Sequence, residues 1–421
     1  MKGSVRKRGE SWSYYFDLGK IDGKRQKHEK GGFATKADAE AALAAAVNEY
    51  NNAGQVFNPS EITVSDYLDQ WYDLYCKPNL KYNTQVGYLR VIEGRIKPKF
   101  GKYKLKAITP VLLQEYANSL KMEGLAKGSV KRITATFSCA LDYAVEPLHY
   151  IPVNPLKMVK PPKIEKKPRE RIILTMDEWQ QISERFKGTR FYIPLMIGFY
   201  TGVRISECFG LTWDDIDLEK RTLSVNKQIL KRNDGPDVRK AVEPKSQKEK
   251  RSSWYFSTLK TASSERTILF GETLAAALKQ EKTRQLKNEL KYGEYYTVQL
   301  KKKEQDEKGN DIFRIIPIQK CVKSQLQRAN MVCVDEDGQY TSPDSFKYCS
   351  RVIHHEMQLA FDYHSLRHTH ATMLIEAGAN IKDVQKRLGH FNITTTLQTY
   401  VHDTEKMQND AVNIFEAAAN K

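Results

Sequence analysis

A run of prolines and charged residues after position 156 divides this 421-residue chain. It contains Pro161-Pro162 and Pro168 among many lysines and arginines. Proline lacks the backbone N–H that helices and central strands need, and dense like charge favours an extended chain. The run therefore predicts a linker over 157–172 with separately folded domains on either side, in agreement with a length of two or three domains.

The charge of the chain narrows the class of partner. It has 68 Lys and Arg against 51 Asp and Glu, so the net charge is +17 and the isoelectric point is near 9.3. That excess favours a polyanionic partner, nucleic acid first and an anionic membrane surface second. No GxxxxGK[ST] phosphate loop occurs, so nothing in the sequence supports dependence on ATP or GTP.

The location expected from the sequence is the cytoplasm. The six cysteines are scattered without a Cys-x-x-Cys pair, which favours reduced thiols over disulfides or a structural zinc site. The charged N-terminus lacks the apolar core of a signal peptide. The longest apolar stretch, 191–203, is too short to span a bilayer, so no membrane association is expected.

Residues 1–56 predict a small α+β domain, a three-stranded sheet plus one helix. Apolar and polar residues alternate from Trp12 to Leu18, as in a half-buried strand. Asp22-Gly23 predicts a hairpin turn into a basic strand, and a short third strand is predicted to start at Phe33. The basic strand holds the candidate DNA-binding residues Lys24, Arg25 and Lys27. The alternative is an accessory domain whose charged face is merely solvated.

Residues 61–156 predict an all-α domain, since apolar residues recur there at helical spacing. Thr109-Pro110 is a helix cap followed by proline at the first helical position. The middle of the domain is strongly basic, which favours a surface that contacts DNA phosphates over a solvated face. The candidate DNA-binding residues here are Arg90, Arg95, Lys127 and Arg132.

Residues 173–421 predict a mixed α+β domain rich in helix, which makes the whole chain a mainly α, multidomain protein. Two polar stretches, 231–252 and 291–311, are predicted to be surface loops or flexible insertions. Short strands are predicted at Leu223–Val225, Ile229-Leu230 and Arg266–Leu269.

Three segments of this last domain hold candidate catalytic residues. In the first, Arg204 starts a helix in an apolar region and Glu207 lies one turn on, although a structural ion pair is the favoured interpretation of that pair alone. In the second, Lys260 lies in a turn between two strands and can reach into a groove, although most such lysines are simply solvated. The third contributes His364, Arg367, His390 and Tyr400.

The histidines and the tyrosine of the third segment could also have ordinary roles. A metal site at His364, His368 and His370 is disfavoured because no acidic or cysteine partner lies at ligand spacing. Tyr400 could be a core aromatic, as most of the 22 tyrosines must be.

Together the segments predict phosphoryl transfer. Two Arg, one Lys and two His would surround a phosphate with donors whose hydrogen bonds strengthen as charge builds in the transition state. A tyrosine hydroxyl can attack phosphorus and form a covalent intermediate, while lysine and histidine move protons. None of these steps needs a metal ion or nucleotide, so no cofactor is expected.

The segments resemble the tyrosine recombinase (phage integrase) family, most closely integrases of temperate phages and conjugative transposons of Gram-positive bacteria. The family's boxes occur in order within residues 60–415, and residues 1–56 are similar, more weakly, to an arm-type DNA-binding domain. The boxes are TGVRISE with LTWDDIDLE, KTASSERTI, HSLRHTHATMLIEAG and RLGHFNITTTLQTYVH. The resemblance implies the following roles: Arg204 as first catalytic arginine, Glu207 as its supporting acid, Lys260 as general acid, His364 and Arg367 as the HxxR pair, His390 as second histidine and Tyr400 as nucleophile.

The resemblance further implies a site-specific recombinase that cuts attachment-site DNA to a 3′-phosphotyrosine and exchanges strands through a Holliday junction, as a mobile element integrates or is excised. Four protomers would assemble on core and arm sites, helped by an excisionase and a host DNA-bending protein. An apolar stripe at Val412, Phe415 and Ala419 suits a tail helix passed to a neighbouring subunit, and equally one that packs on its own domain. A type IB topoisomerase-like enzyme and a non-catalytic DNA-binding regulator remain alternatives.

Overall fold

The computed structural model describes residues 3–21, 24–53, 62–165, 171–233, 238–241, 252–259, 264–389, 391–392, 394 and 416. The chain forms two compact units that divide between Lys167 and Pro168, inside the proline-rich run. Among the described residues, no helix has the length and apolar character needed to cross a membrane.

The first unit begins with an antiparallel sheet in the order β1-β2-β3, packed on one helix. These elements are β1 (Gly3–Arg8), β2 (Ser11–Ile21), β3 (Lys24–Phe33) and α1 (Lys36–Ala53). Tyr14 and Phe16 of β2 are buried together with Ala46 of α1. The first turn of α1 is capped by Thr35, whose Oγ1 accepts from the Asp38 backbone N–H at 3.2 Å. The α+β prediction for this region is confirmed.

The strand assignment within that sheet was partly wrong. Residues 3–8 form a strand that the sequence did not predict, and Phe33 ends β3 instead of starting a third strand. Trp12 pairs with Phe33 and Ser13 with Gly31, so Gly32 is an extra residue in the ladder. Its φ of 91° suits glycine, and the resulting bulge carries β3 through the two glycines. The predicted Asp22-Gly23 turn lies outside the described residues.

Every named element between residues 62 and 165 is a helix or helical turn, which confirms the all-α prediction. Tyr67 and Trp71 are fully buried on one side of the first helix, and Thr109 caps the helix that begins at Pro110. The helices are α2 (Val64–Trp71), α3 (Lys77–Asn79), α4 (Tyr82–Val91), α5 (Lys97–Phe100), α6 (Pro110–Met122) and α7 (Lys127–Val145), with π turns at Tyr72–Cys76 and Ile92–Ile96 and 3₁₀ turns at Leu105–Ala107 and Pro155–Met158.

The second unit is a helical core with two sheets, as the mixed α+β prediction requires. Its helices are α8 (Met176–Phe186), α9 (Tyr192–Thr201), α10 (Ile205–Cys208), α11 (Glu272–Tyr292), α12 (Phe346–His355), α13 (Tyr363–Glu376) and α14 (Ile381–Leu388). Its strands are β4 (Ile216–Asp217), β5 (Thr222–Val225), β6 (Gln228–Asn233), β7 (Ser252–Ser257), β8 (Arg266–Leu269), β9 (Thr297–Gln305), β10 (Asp311–Gln319) and β11 (Gln327–Arg328). The apolar α9 lies in the core, where Trp179 stacks on Phe199 with 3.9 Å between ring centroids.

The prediction of a surface loop over 291–311 was wrong. This stretch contains β9, which pairs with β10 along its whole length in a five-stranded sheet of order β11-β9-β10-β7-β6. The start of β9 is buried while Lys301–Gln305 projects as a largely exposed hairpin arm, so a polar composition there is compatible with strand. The stretch 231–252 is likewise strand at both ends, with Val238–Ala241 forming a 3₁₀ turn and the remainder outside the described residues.

Candidate active site

Arg204 and Glu207 form the ion pair that their spacing predicted. The apolar α9 ends at Thr201, Gly202 adopts a left-handed conformation with φ 66°, and Arg204 then precedes the first residue of α10. Arg204 Nη1 lies 2.7 Å from Glu207 Oε1, and the Arg204 backbone N–H donates to Oε2 at 2.9 Å. The side chain of Glu207 is 2% exposed and that of Arg204 is 31% exposed, so the carboxylate anchors a guanidinium that solvent still reaches.

A second arginine, Arg266 of β8, holds the other oxygen of the same carboxylate. Arg266 Nη2 lies 2.9 Å from Glu207 Oε2. Burial opposes ionisation of Glu207, but the charges and hydrogen bonds of Arg266 and Arg204 outweigh it and lower its pKa. Glu207 is therefore ionised at neutral pH. Arg266 was not among the residues predicted from the sequence, although strand alternation places it on the same face as the buried Ile268.

Arg367 connects the ends of two helices. It lies on α13, and its guanidinium donates to the carbonyl of Gly202 through Nη1 and to that of Leu388 through Nη2, both at 2.7 Å. These carbonyls lie at the C-terminal ends of α9 and α14, where the helix dipoles favour positive charge. Arg204 Nη2 lies 3.5 Å from the next carbonyl, that of Gly389. The end of α14 thus brings the two predicted catalytic arginines together, with Arg367 only 4% exposed.

His364 lies one turn before Arg367 on α13. The surrounding protein disfavours a charged ring, and the positive charges of Arg367 and Arg204 add to that effect, so the pKa of His364 is lowered. By surface area the residue is nevertheless exposed, and its environment is electropositive. A neutral imidazole next to two guanidinium groups can accept a proton.

His370 and Arg387 form a second pair that sequence analysis did not assign. Arg387 Nε donates to His370 Nε2 at 2.9 Å, so His370 carries its proton on Nδ1 and donates it to the Phe199 carbonyl at 2.8 Å. Burial and the neighbouring Arg387 lower the pKa of His370 to about 4. Arg387 also donates to the carbonyls of Leu269 and Tyr200, at 2.9 and 3.0 Å. These contacts join elements far apart in the sequence, which left no local signal to detect.

Several predicted residues lie outside the part of the chain that the structure describes: Lys260, His390, Tyr400 and the stripe Val412, Phe415 and Ala419. The strands that flank Lys260 do not form the expected hairpin, because β7 pairs with β6 and β10 whereas β8 pairs with β5. The strands β7 and β8 therefore lie in different sheets. Across the described residues, no group of three His, Cys, Asp or Glu is arranged to hold a metal ion.

The predicted DNA-binding residues of the helical region are exposed. Arg90 lies in the last turn of α4, and Lys127 and Arg132 lie in the first two turns of α7. Arg95 is paired with Glu123 at 2.7 Å and would have to exchange that partner for a phosphate. In the N-terminal sheet, Lys24 and Arg25 are members of β3, and the Lys27 ammonium lies over the ring of Tyr15, 5.8 Å from its centroid.

Comparison with known proteins identifies the class. The phage integrase family model matches residues 169–407, more than half of the chain, so the protein belongs to the phage integrase family. A phage integrase N-terminal SAM-like domain matches residues 63–121, and an arm DNA-binding domain matches 4–50. The protein is a tyrosine recombinase, an enzyme of site-specific DNA recombination.

Individual relatives agree with that assignment. A "Tyrosine recombinase XerC-like" protein of Caldanaerobacter subterraneus subsp. tengcongensis is 29% identical over 90% of this chain and 88% of its own length. The transposase of transposon Tn916 from Enterococcus faecalis is 24% identical over 78% and 71%. Among solved structures, the Tn1549 transposon integrase in complex with a circular intermediate DNA has a TM-score of 0.60, at 22% identity over 84% of this chain and 99% of that one. A lambda integrase tetramer bound to a Holliday junction has a TM-score of 0.54, at 18% identity over 95% and 96%, and both structures support the same fold.

Proposed function

We propose that this protein integrates and excises a mobile element by cutting and rejoining attachment-site DNA through a 3′-phosphotyrosine intermediate and a Holliday junction. The observation that carries the proposal is the convergence of Arg204 and Arg367 on the carbonyls of Leu388 and Gly389, immediately before His390. Two guanidinium groups at one place give bidentate donors for the nonbridging oxygens of a phosphate.

A residue of the chain can be assigned to each step of DNA cleavage and rejoining. The Tyr400 oxygen attacks phosphorus and loses its proton to a neutral histidine, for which His364 has the required environment. The bond from phosphorus to the 5′-oxygen breaks, and Lys260 protonates that oxygen. Arg204, held by Glu207, and Arg367 stabilise the charge of the transition state, with His390 as a further donor. A 5′-hydroxyl of the partner duplex reverses the sequence by attacking the phosphotyrosine, so the energy of the broken bond is conserved without a nucleotide.

Each domain is assigned a role in the assembly of the protein on DNA. We assign 1–56 to arm sites, 61–156 to the core site, 157–172 to a linker, and 173–421 to catalysis with a C-terminal tail helix. The lambda integrase relative forms a tetramer on a Holliday junction, which supports a homotetramer here. An excisionase and a host DNA-bending protein would set the direction of the reaction on DNA in a bacterial cytoplasm. Exposed Arg90, Lys127 and Arg132, with Arg95 and the β3 residues Lys24, Arg25 and Lys27, would contact phosphates.

The test is a covalent trap. Duplexes from the DNA flanking the gene, each nicked near a candidate cleavage point, are incubated with wild type, Tyr400→Phe and Tyr348→Phe, and SDS-resistant complexes are counted. Tyr348 is 56% exposed on α12 and serves as the matched control. We expect complexes with wild type and Tyr348→Phe and none with Tyr400→Phe.

Two results would favour the alternatives. A nicking and relaxation activity that depends on Tyr400 but yields no recombinant product would indicate a type IB topoisomerase-like enzyme. Tight, salt-sensitive DNA binding without a complex on any flanking duplex, with host extract added, would indicate a non-catalytic regulator and overturn the proposal.

A further inference from the structure

The guanidinium of Arg266 contacts all three segments that hold the predicted catalytic residues. Nη2 lies 2.9 Å from Glu207 Oε2, Nη1 donates to the Ser264 carbonyl at 2.9 Å, and Nε donates to the Arg387 carbonyl at 2.7 Å. Glu207 holds Arg204, Ser264 lies four residues after Lys260, and Arg387 lies three residues before His390. One planar group with fixed donor directions therefore sets the positions of one side-chain carboxylate and two backbone carbonyls relative to each other.

Arg266 is placed to act through these neighbours and not on DNA. Its side chain is 7% exposed, and its partners are a buried carboxylate and backbone carbonyls. Gly389 packs against it: a Cβ at that position would lie 3.1 Å from Arg266 Nη1 and 3.2 Å from Cδ. The Arg266 side chain thus leaves no room for a side chain at Gly389 and is hydrogen-bonded to the backbone two residues earlier, at Arg387.

The charge of Arg266 also determines the state of Glu207. The carboxylate is buried and remains ionised because two guanidinium groups oppose the cost of burial, and Arg266 is the larger of the two contributors. Without Arg266, Glu207 protonates at higher pH and loses its hold on Arg204. Through the buried pair of Arg266 and Glu207, the protonation state of Glu207 therefore controls the orientation of Arg204.

Resting on the proposed function, we propose that Arg266 is a positioning residue, which aligns Arg204 with the backbone at Ser264 and Arg387 for strand cleavage. Its loss should slow the covalent step and leave DNA affinity nearly unchanged. A purely structural arginine would instead affect stability alone.

The variants are Arg266→Gln and Arg266→Lys, with Arg284→Gln as the matched control. Arg284 makes a comparable contact set in the same unit, with Glu281 at 2.6 and 2.8 Å and the Val334 carbonyl at 3.2 Å. Single-turnover cleavage of the trapped duplex at saturating protein is measured against pH, and the Kd for that duplex is measured separately. We expect Arg266→Gln to slow cleavage about 100-fold at a Kd within about threefold of wild type.

The pH profile separates positioning from folding. In Arg266→Gln the acid limb of cleavage should move to higher pH, because Glu207 has lost a cation that kept it ionised. Arg266→Lys keeps the charge, so the acid limb should return to its wild-type position and part of the cleavage rate should be restored. Arg284→Gln should change neither the acid limb nor the cleavage rate. Cleavage by Arg266→Gln within about threefold of wild type, an unmoved acid limb, or equal losses in Arg266→Gln and Arg284→Gln would overturn the inference.

Hydrogen exchange of the free full-length protein tests the same inference without DNA. In Arg266→Gln and Arg266→Lys, amides near Ser264 and over 387–389 should exchange about tenfold faster, while Arg284→Gln leaves them unchanged. If wild type forms no covalent complex, the proposed recombinase function fails, and the exchange data still decide whether Arg266 orders these segments. Unchanged exchange at both places would overturn the inference.

Discussion

Arg367 Nη1 lies 2.7 Å from the carbonyl oxygen of Gly202, so a side chain of α13 satisfies the end of α9. The contact depends on the left-handed turn at Gly202, because that turn ends α9 and starts the path to Arg204. The backbone carbonyl that holds Arg367 belongs to Gly202, two residues before Arg204. The relative geometry of the two arginines therefore depends on this glycine.

Gly202→Ala tests this dependence. The backbone there has φ 66°, and an added Cβ would meet His370 Cδ2 and Leu388 Cδ2, both at 2.9 Å. Left-handed strain and overpacking should together reduce the free energy of unfolding by about 2–4 kcal/mol, measured by urea unfolding. Gly378→Ala is the control, since its φ is 82° but a Cβ there meets nothing within 4 Å. Its loss should be about 1 kcal/mol, and equal losses in the two variants would refute the role of the close contact.

Glu207→Gln tests the anchor of Arg204. The amide keeps the shape but not the charge, and leaves the 7%-exposed Arg266 without its counterion. We expect the covalent-complex assay to show a 10²- to 10³-fold slower cleavage, of the order seen for a lost transition-state donor. Glu281→Gln removes the charge of a buried carboxylate that pairs with Arg284 and should leave cleavage by folded protein unchanged. If both variants cleave at the same reduced rate, a general loss of stability accounts for the result.

Deletion of residues 1–56 tests the assignment of the arm domain. The sheet and helix of this region have their own buried cluster of Tyr14, Phe16 and Ala46, so their removal should leave the catalytic unit folded. We expect the truncated protein to lose binding to arm-site DNA and to lose integration, while it still forms the covalent complex on a core site. Mobility shifts with separate arm and core duplexes measure both. Integration at the wild-type level would contradict the assignment.

Local patterns in the sequence were sufficient for the start of one helix and for one contact in the site. The i, i+3 spacing predicted the pairing of Arg204 with Glu207, and Thr109-Pro110 predicted the start of α6. These features depend on residues within one helical turn of each other, so they can be predicted from residue type and spacing.

Contacts between distant segments could not be predicted in the same way. Arg387 reaches Tyr200 and Leu269 across 187 and 118 residues, and Arg266 reaches Glu207 across 59. Lysine and glutamate in 291–311 suggested a loop, because the partner strand β10 that makes β9 a strand is a tertiary feature. The sequence gives the residue types, but it does not show which distant segments contact each other or which strands pair.

His370 predicts how stability depends on pH. Its folded pKa of about 4 lies below the ordinary 6.5, because burial and Arg387 disfavour the charged ring. The unfolded chain therefore binds more protons between these values, so the stabilisation is complete above pH 6.5 and is lost as pH falls toward 4, by roughly 3 kcal/mol at most. His370→Gln should flatten that slope by about one proton in urea titrations at several pH values. An unchanged slope in His370→Gln would show that other groups govern acid unfolding.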